Sequence, residues 1–366
     1  MSLDSIDRPI AIVDEDICRR NIETMVRKAS KAGVKFRPHF KTHQSAEIGN
    51  WFRDHDLDGI TVSTPEMAAY FMNDGWKNIT IAFPFYKSQI NQINRLLAEP
   101  ADLRLFLNNP DCISLLDSKL IRPVKIYIEI DAGYNRTGVP ADDFSALDML
   151  LKKIGKSKKC TFHGFYVHDG RTYRAESDKE IKNAIKPSLE ALKKLKEDFG
   201  GAELSVGDTP SCSTLDTFSP ATEISPGNFI FYDLMQVKIG SCSLKDIGYF
   251  LICPVAESNR SPSRILIHGG AVHFSKDYIA IENAPSYGLA FSRESISSKL
   301  LQTNGHHIRA LSQEHGTIPI PNQQDFDKLK SRDEVLVCPV HSCLSANLFR
   351  NYVTTNGRII NKRVLS

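Results

Sequence analysis

Across its first two-thirds the chain alternates short apolar runs with longer amphipathic segments, and this alternation restricts the fold more than any other feature. Segments 34–40, 59–62, 79–83, 103–107, 124–130, 162–167, 203–206 and 229–232 read as strands. Several are rich in Val, Ile, Phe and Tyr, and Asn, Asp, Gly and Pro punctuate the chain around them. Between them, 16–31, 45–55, 65–74, 88–97, 142–154 and 179–199 read as helices. The first has Asp14 or Asp16 as a cap and Gly33 just past its end. Eight strands alternating with helices fit an α/β fold, a closed (β/α)8 TIM barrel. A doubly wound open sheet has the same period and stays open at this point.

The pattern changes after about Ser243. Runs 249–255, 264–268, 278–282, 334–340 and 351–355 are strand-like, with no long amphipathic helix among them. The expected layout is a barrel over 14–243 and a mostly β C-terminal domain over 244–366. The apolar segment 9–13 precedes the first helix, and residues 1–13 are assigned to the β-domain.

Composition limits the partners. The 366 residues are 41% hydrophobic and 24% charged, enough apolar material for a sizeable core without disulfides or structural metals. Net charge is +3, and clusters such as Lys152-Lys153 and Lys156-Ser157-Lys158-Lys159 read as solvated helix ends. Neither nucleic acid nor an anionic membrane is indicated. The first residues carry acids and lack the apolar core of a signal peptide. No apolar run approaches the ~18 residues of a membrane span. Eight cysteines without a C-x-x-C pair suggest reduced thiols in a cytoplasmic protein.

Five constellations carry chemistry. Arg37-Pro38-His39-Phe40-Lys41-Thr42-His43 closes the first strand. Barrel enzymes place their sites at strand C-termini, where a desolvated Lys41 suits a Schiff base with an aldehyde cofactor. The same residues also suit a surface lysine on a turn. Asp131-Ala132-Gly133-Tyr134-Asn135-Arg136-Thr137-Gly138-Val139 follows the fifth strand; Arg136 would face a cofactor nitrogen or an anion, or only local carbonyls. In the sixth strand Tyr166 and His168 share one face and offer a ring and an imidazole to a planar cofactor, unless both are structural. Gly207-Asp208-Thr209-Pro210-Ser211 and Ser225-Pro226-Gly227-Asn228-Phe229 are candidate phosphate cradles by position, though ordinary turns have the same composition. Last, His341 and Cys343 stand two apart at the end of a late strand. On an extended segment they point the same way and offer zinc an imidazole and a thiolate, an incomplete pair that needs further ligands.

In this order, R-P-H-F-K-T-H, D-A-G-Y-N-R-T-G-V, G-D-T-P-S, P-G-N-F-I-F-Y-D and H-S-C resemble the D-threonine aldolase and D-serine dehydratase family. These are fold-type III pyridoxal-phosphate enzymes whose barrel is related to that of alanine racemase. The resemblance runs from Pro9 to about Asn347. It implies a barrel plus a β-domain that includes the N-terminal strand, and a homodimer acting on a small D-amino acid. It implies Lys41 as the Schiff-base lysine, Arg136 near the pyridine nitrogen, Tyr166 beside the ring, and Thr209, Gly227 and Asn228 on the phosphate. His341 and Cys343 become the ligands of a divalent metal. In this family H-x-C goes with zinc and the dehydratases, whereas the aldolases more often carry aspartate at the second position and a manganese-like ion. D-serine dehydratase is therefore favoured over D-threonine aldolase, with a racemase or a non-catalytic cofactor carrier further off. Two departures bear on the substrate. His268-Gly269-Gly270 stands where the family has Asp-x-Gly, and Arg171-Thr172 stands where a histidine is expected. The Ser312–Gly316 loop resembles the family's acidic-His-Gly loop.

Overall fold

The structure, a computed structural model, describes residues 6–57, 59–292, 305–330 and 333–363. It divides into two compact units. One runs from Glu23 to Gly227; the other joins the chain up to Ile22 with the chain from Asn228 onward.

In the first unit eight parallel strands follow one another around a barrel. They are Lys35–Phe36, Ile60–Val62, Asn78–Pro84, Asp102–Phe106, Val124–Asp131, Cys160–Val167, Glu203–Val206 and Glu223–Ile224. The last pairs with the first in the register Ile224↔Phe36. Past Phe36 the first strand reaches the second: Phe40 donates to Thr61 O (2.8 Å) and Thr61 to Pro38 O (2.9 Å), around a His39↔Thr61 bridge. The ring of strands therefore has no open edge, which excludes the doubly wound alternative.

Helices alternate with these strands where the apolar spacing is helical. Pro65–Asn73 starts at Thr64, whose hydroxyl accepts from Met67 N, with Pro65 in its first turn. Asp178–Asp198 is capped by Ser177, carries acids in its first turn and buries Ile181, Ile185, Leu192 and Leu195.

The barrel interior is polar at its centre. Arg37 Nε donates to Glu223 Oε2 (2.7 Å) with both side chains at most 2% exposed, and Tyr127 Oη donates to Glu223 Oε1 (3.1 Å). Arg37 Nη1 also donates to Asn78 Oδ1 (2.9 Å), which Arg104 shares. Arg104 Nε donates to His163 Nε2 (3.0 Å); burial and then that guanidinium hold the imidazole down at about 4.

The second unit is mostly β. Its sheet runs His306–His307, Gly288–Ser292, Glu334–Pro339, Tyr249–Arg260, Ile10–Val13, Asn351–Thr354, Ile359–Asn361, with Ser263–His268 branching from Tyr249–Arg260 and His315–Pro319 pairing in turn with Ser263–His268. Ile10–Val13 lies between Tyr249–Arg260, antiparallel, and Asn351–Thr354, parallel, so the N-terminal strand belongs to this unit. Four consecutive buried residues suit that central place.

Several elements differ from the sequence reading. The eighth strand is Glu223–Ile224, not 229–232: Asn228–Ile230 is a 3-10 turn whose aromatic neighbours are buried without strand pairing. The expected 45–55 helix divides into Ala46–Asn50 and the 3-10 turn Arg53–His55. Helix Cys112–Lys119 was not anticipated, nor were strands Gly288–Ser292 and His315–Pro319. Ser342–Asn347 is helical, so Cys343 stands in a helix's first turn rather than on an extended segment.

Cutting the buried ion pair on one side leaves an uncompensated charge. Glu223→Ala is expected to lower unfolding stability by ~3–5 kcal/mol. Urea unfolding checks this, and the double change Arg37→Met with Glu223→Leu should recover a large part of the loss.

Candidate functional site

The barrel's candidate side chains lie at or past the C-terminal ends of its strands. After the first strand, Phe40 packs edge-on to Phe71 and Trp76 and against His43, with ring centroids 4.5–5.3 Å apart. His39, Phe40, Thr42 and His43 are buried, while Lys41 between them is exposed. The loop is thus anchored on both sides of a single outward lysine. That exposure corrects the expectation of a desolvated Lys41.

Those neighbours come from other strands. His168, past the sixth strand, interacts electrostatically with both Lys41 and Arg136; burial, then these two cations, push its imidazole down to about 3. Burial followed by Lys41 likewise holds His39 well below the ordinary histidine range. Both rings are therefore neutral at physiological pH. Arg136, 49% exposed, pairs with the buried Glu129 (Nη2–Oε1 3.6 Å) and lies over the Tyr134 ring (5.5 Å). Tyr166 packs on Phe106 with centroids 4.6 Å apart, and burial keeps its phenol protonated.

The seventh loop has the features of an anion cradle. Gly207 to Ser211 are all buried. Any Cβ at Gly207 would overlap the Tyr166 hydroxyl, so only glycine permits that approach. Asp208 caps the helix Thr209–Thr214 by accepting from Ser211 N (2.9 Å), and burial raises its carboxyl to about 6. Ser211 Oγ is buried beside the Asp208 carboxyl. Thr209 N lies 3.3 Å from Tyr173 Oη. The eighth loop closes beside it: Ser225 N donates to Val206 O (2.7 Å), and a Cβ at Gly227 would stand 3.2 Å from His39. A lysine, an arginine, a ring and two small-residue loops on one rim are what a phosphorylated aromatic aldehyde requires, and the residues fit such a cofactor.

The two departures at Arg171 and Thr172 have structural partners. Arg171 forks onto Asp169 (Nε–Oδ1 2.8 Å, Nη2–Oδ2 2.6 Å), and Thr172 Oγ1 donates to Asp208 Oδ1 (2.9 Å), bracing the seventh loop.

In the β unit His341 and Cys343 hydrogen-bond one another. They meet because His341 keeps extended backbone (φ −130°, ψ 101°) immediately before Cys343 enters the helix. His341 Nδ1 also bonds Asp277 Oδ2 (2.8 Å). Burial opposes charge on His341, but the bonds to Asp277 and Cys343 outweigh it and raise the ring to about 11. An imidazole steadied by Asp277 and a thiol steadied by Asn228 are the donor types a soft divalent cation takes, so this pair fits a metal. The Asn228 side-chain nitrogen lies within hydrogen-bonding distance of Asp233 Oδ2 (2.8 Å), Ser342 Oγ (2.9 Å) and Cys343 Sγ (3.3 Å). Asp277, which no motif marked, lies 64 positions from His341.

A second cluster, His268, His273 and Glu314, brings three ligand atoms within 4.8 Å of one another. His273 Nδ1, however, accepts from Gly270 N (3.2 Å), which places the ring proton on Nε2. As arranged, it is a hydrogen-bonding group.

Comparison with known proteins agrees with this architecture. Residues 13–234 match the alanine racemase N-terminal domain and residues 249–355 a putative serine dehydratase domain. The chain belongs to the alanine racemase-like family of fold-type III proteins, in the branch of the D-threonine aldolases and D-serine dehydratases. It is 27% identical to D-serine dehydratase of Dictyostelium discoideum, over 98% of this chain and 96% of the relative. The solved D-threo-3-hydroxyaspartate dehydratase of Delftia sp. HT23 is similar over 100% of both chains, with TM-score 0.88 and 22% identity. A cysteine-to-alanine variant of that enzyme is described as a metal-free form. D-threonine aldolase from Filomicrobium marinum shares the fold at TM-score 0.82 and 20% identity, over 98% of this chain and 95% of that one. No helix among the described residues is long and apolar enough to cross a membrane.

Gly207→Ala is expected to displace Tyr166 and abolish retention of an added phosphorylated aldehyde, read as absorbance remaining with the protein after gel filtration. Gly155→Ala, where a Cβ meets nothing within 4 Å, should leave retention unchanged.

Proposed function

We propose that this protein is a pyridoxal-phosphate- and metal-dependent lyase of β-hydroxy D-amino acids, favouring D-serine, which it converts to pyruvate and ammonia. The observation that carries the reading is the hydrogen-bonded His341–Cys343 pair in a chain whose barrel rim gathers Lys41, Arg136 and His168. Likeness to the Dictyostelium D-serine dehydratase along nearly the full length supports it. So does the metal-free state ascribed to the Delftia enzyme's cysteine variant.

In this reading Lys41 holds the cofactor, Arg136 lies toward its pyridine nitrogen, Tyr166 and His168 flank its ring, and the loops of Thr209 and Gly227, with Asn228, hold its phosphate. When bound, the cofactor supplies an electron sink that stabilises negative charge at the substrate α-carbon. Lys41 Nζ takes the α-proton as general base. The imidazoles of His39 and His168 are neutral, so Arg136 is the cation this rim keeps while Lys41 is bonded to the cofactor. His341 and Cys343 hold the divalent ion, zinc by donor type with manganese the alternative, and it supplies Lewis acidity for the β-hydroxyl. Loss of the α-proton and the hydroxyl amounts to loss of water; water then returns at the α-carbon and ammonia leaves. D-threonine cleavage to glycine and acetaldehyde is the second reading; an imidazole–thiolate pair in place of imidazole–carboxylate favours dehydration. A homodimer is expected on the same family ground.

Lys41→Ala should abolish the lysine-linked absorbance near the visible edge; a chromophore still linked to lysine would contradict the assignment. Cys343→Ala should lower zinc content and 2-oxo acid production together while the cofactor stays bound, and unchanged zinc content would rule out the pair.

A further inference from the structure

Two protein donors hold a cation firmly only if they are already aimed at it, because each free rotor frozen on binding weakens the site. In the β unit both donors have been aimed. Nδ1 of His341 is engaged by Asp277 Oδ2 at 2.8 Å, and a carboxylate accepting from Nδ1–H leaves the lone pair on Nε2. Asp277 is itself held in a turn, its backbone N–H donating to Ser275 Oγ (3.2 Å). The other donor is fixed from a different direction. Asn228 brings an amide N–H to Cys343 Sγ at 3.3 Å, and its orientation is set by Asp233 and Ser342. Asp233 Oδ2 also accepts from Ser342 N (2.9 Å), which locks the turn between the two donors. Asn228, Asp233 and Ser342 are all buried, so water competes little for these bonds.

We propose that Asp277 and Asn228 are positioning residues for the metal pair, Asp277 fixing the His341 tautomer that presents Nε2 and Asn228 steadying the Cys343 sulfur as a thiolate. The inference rests on the metal reading of His341 and Cys343 given above. Histidine ligands whose second nitrogen is held by a carboxylate bind metal more firmly, and loss of such a partner typically costs about 10–100-fold in affinity. An amide N–H on sulfur spreads the thiolate charge without competing for the metal. Neither residue need touch substrate.

The test uses the full-length, cofactor-loaded protein and zinc itself, with affinity read by competition against a chromophoric chelator. Asp277→Ala is expected to weaken zinc about 10–100-fold while the cofactor absorbance and thermal midpoint hold. Asp277→Asn, whose Oδ1 still accepts from Nδ1–H, should fall between Ala and the unmodified protein, a graded rescue that simple loss of fold would not produce. With cobalt in place of zinc, Asn228→Ala should shift the sulfur-to-cobalt charge-transfer band, reporting the lost N–H donor. Wild-type zinc affinity in both Asp277 variants, with an unmoved band in Asn228→Ala, would overturn the proposal. If His341→Ala and Cys343→Ala also bind zinc like the unmodified protein, the metal reading itself fails and the positioning roles fall with it. Weakening in those two variants alone leaves the metal reading standing and removes only the positioning roles.

Discussion

The barrel depends on an ion pair placed where apolar side chains would ordinarily be. Arg37 and Glu223 are almost entirely buried and join the first strand to the eighth, with Tyr127 and Asn78 taking up the remaining hydrogen-bonding capacity. Burying two charges is costly, and only close contact with nearly complete hydrogen bonding offsets it. The gain is specificity of closure. Glu223–Ile224 has two residues of pairing and little apolar area, so a directional contact decides where it docks. Because the pair fixes the first strand, it also fixes the loop directly after it, which carries His39, Lys41 and His43.

The two units hold chemically different donor sets. The barrel rim brings Lys41 and Arg136 together, and burial, then these cations at His168 and Lys41 at His39, keeps the two imidazoles uncharged. The β unit offers an imidazole and a sulfur, supported by two carboxylates and an amide. Anion recognition and soft-metal binding need opposite electrostatics, and separate elements allow each to be tuned without compromising the other.

Much of this was legible in the sequence. Seven barrel strands were legible, several through Val, Ile, Phe and Tyr, whereas the N-terminal strand's place in the β unit came from the family resemblance, its apolar character only permitting it. The eighth strand was misplaced because Phe229-Ile230-Phe231-Tyr232 looks more strand-like than Glu223-Ile224, whose acid is satisfied only by an arginine 186 positions away. Gly288–Ser292 and His315–Pro319 carry small or polar residues whose strand character comes from tertiary pairing. His341 and Cys343 were found by spacing, yet the reason they meet is the change from extended to helical backbone between them. Asp277 had no local signal, and nothing in the sequence near Asn228 announces the contact of its side chain with Cys343.

The central claim is that these donor sets together run a dehydration. Purified protein supplied with pyridoxal phosphate and zinc should be incubated separately with D-serine and D-threonine, assaying 2-oxo acid, ammonia and glycine. Pyruvate and ammonia in equal amounts from D-serine, without glycine from D-threonine, is the result this account predicts. Glycine with acetaldehyde from D-threonine, and no 2-oxo acid from either substrate, would contradict it and place the protein among the aldolases.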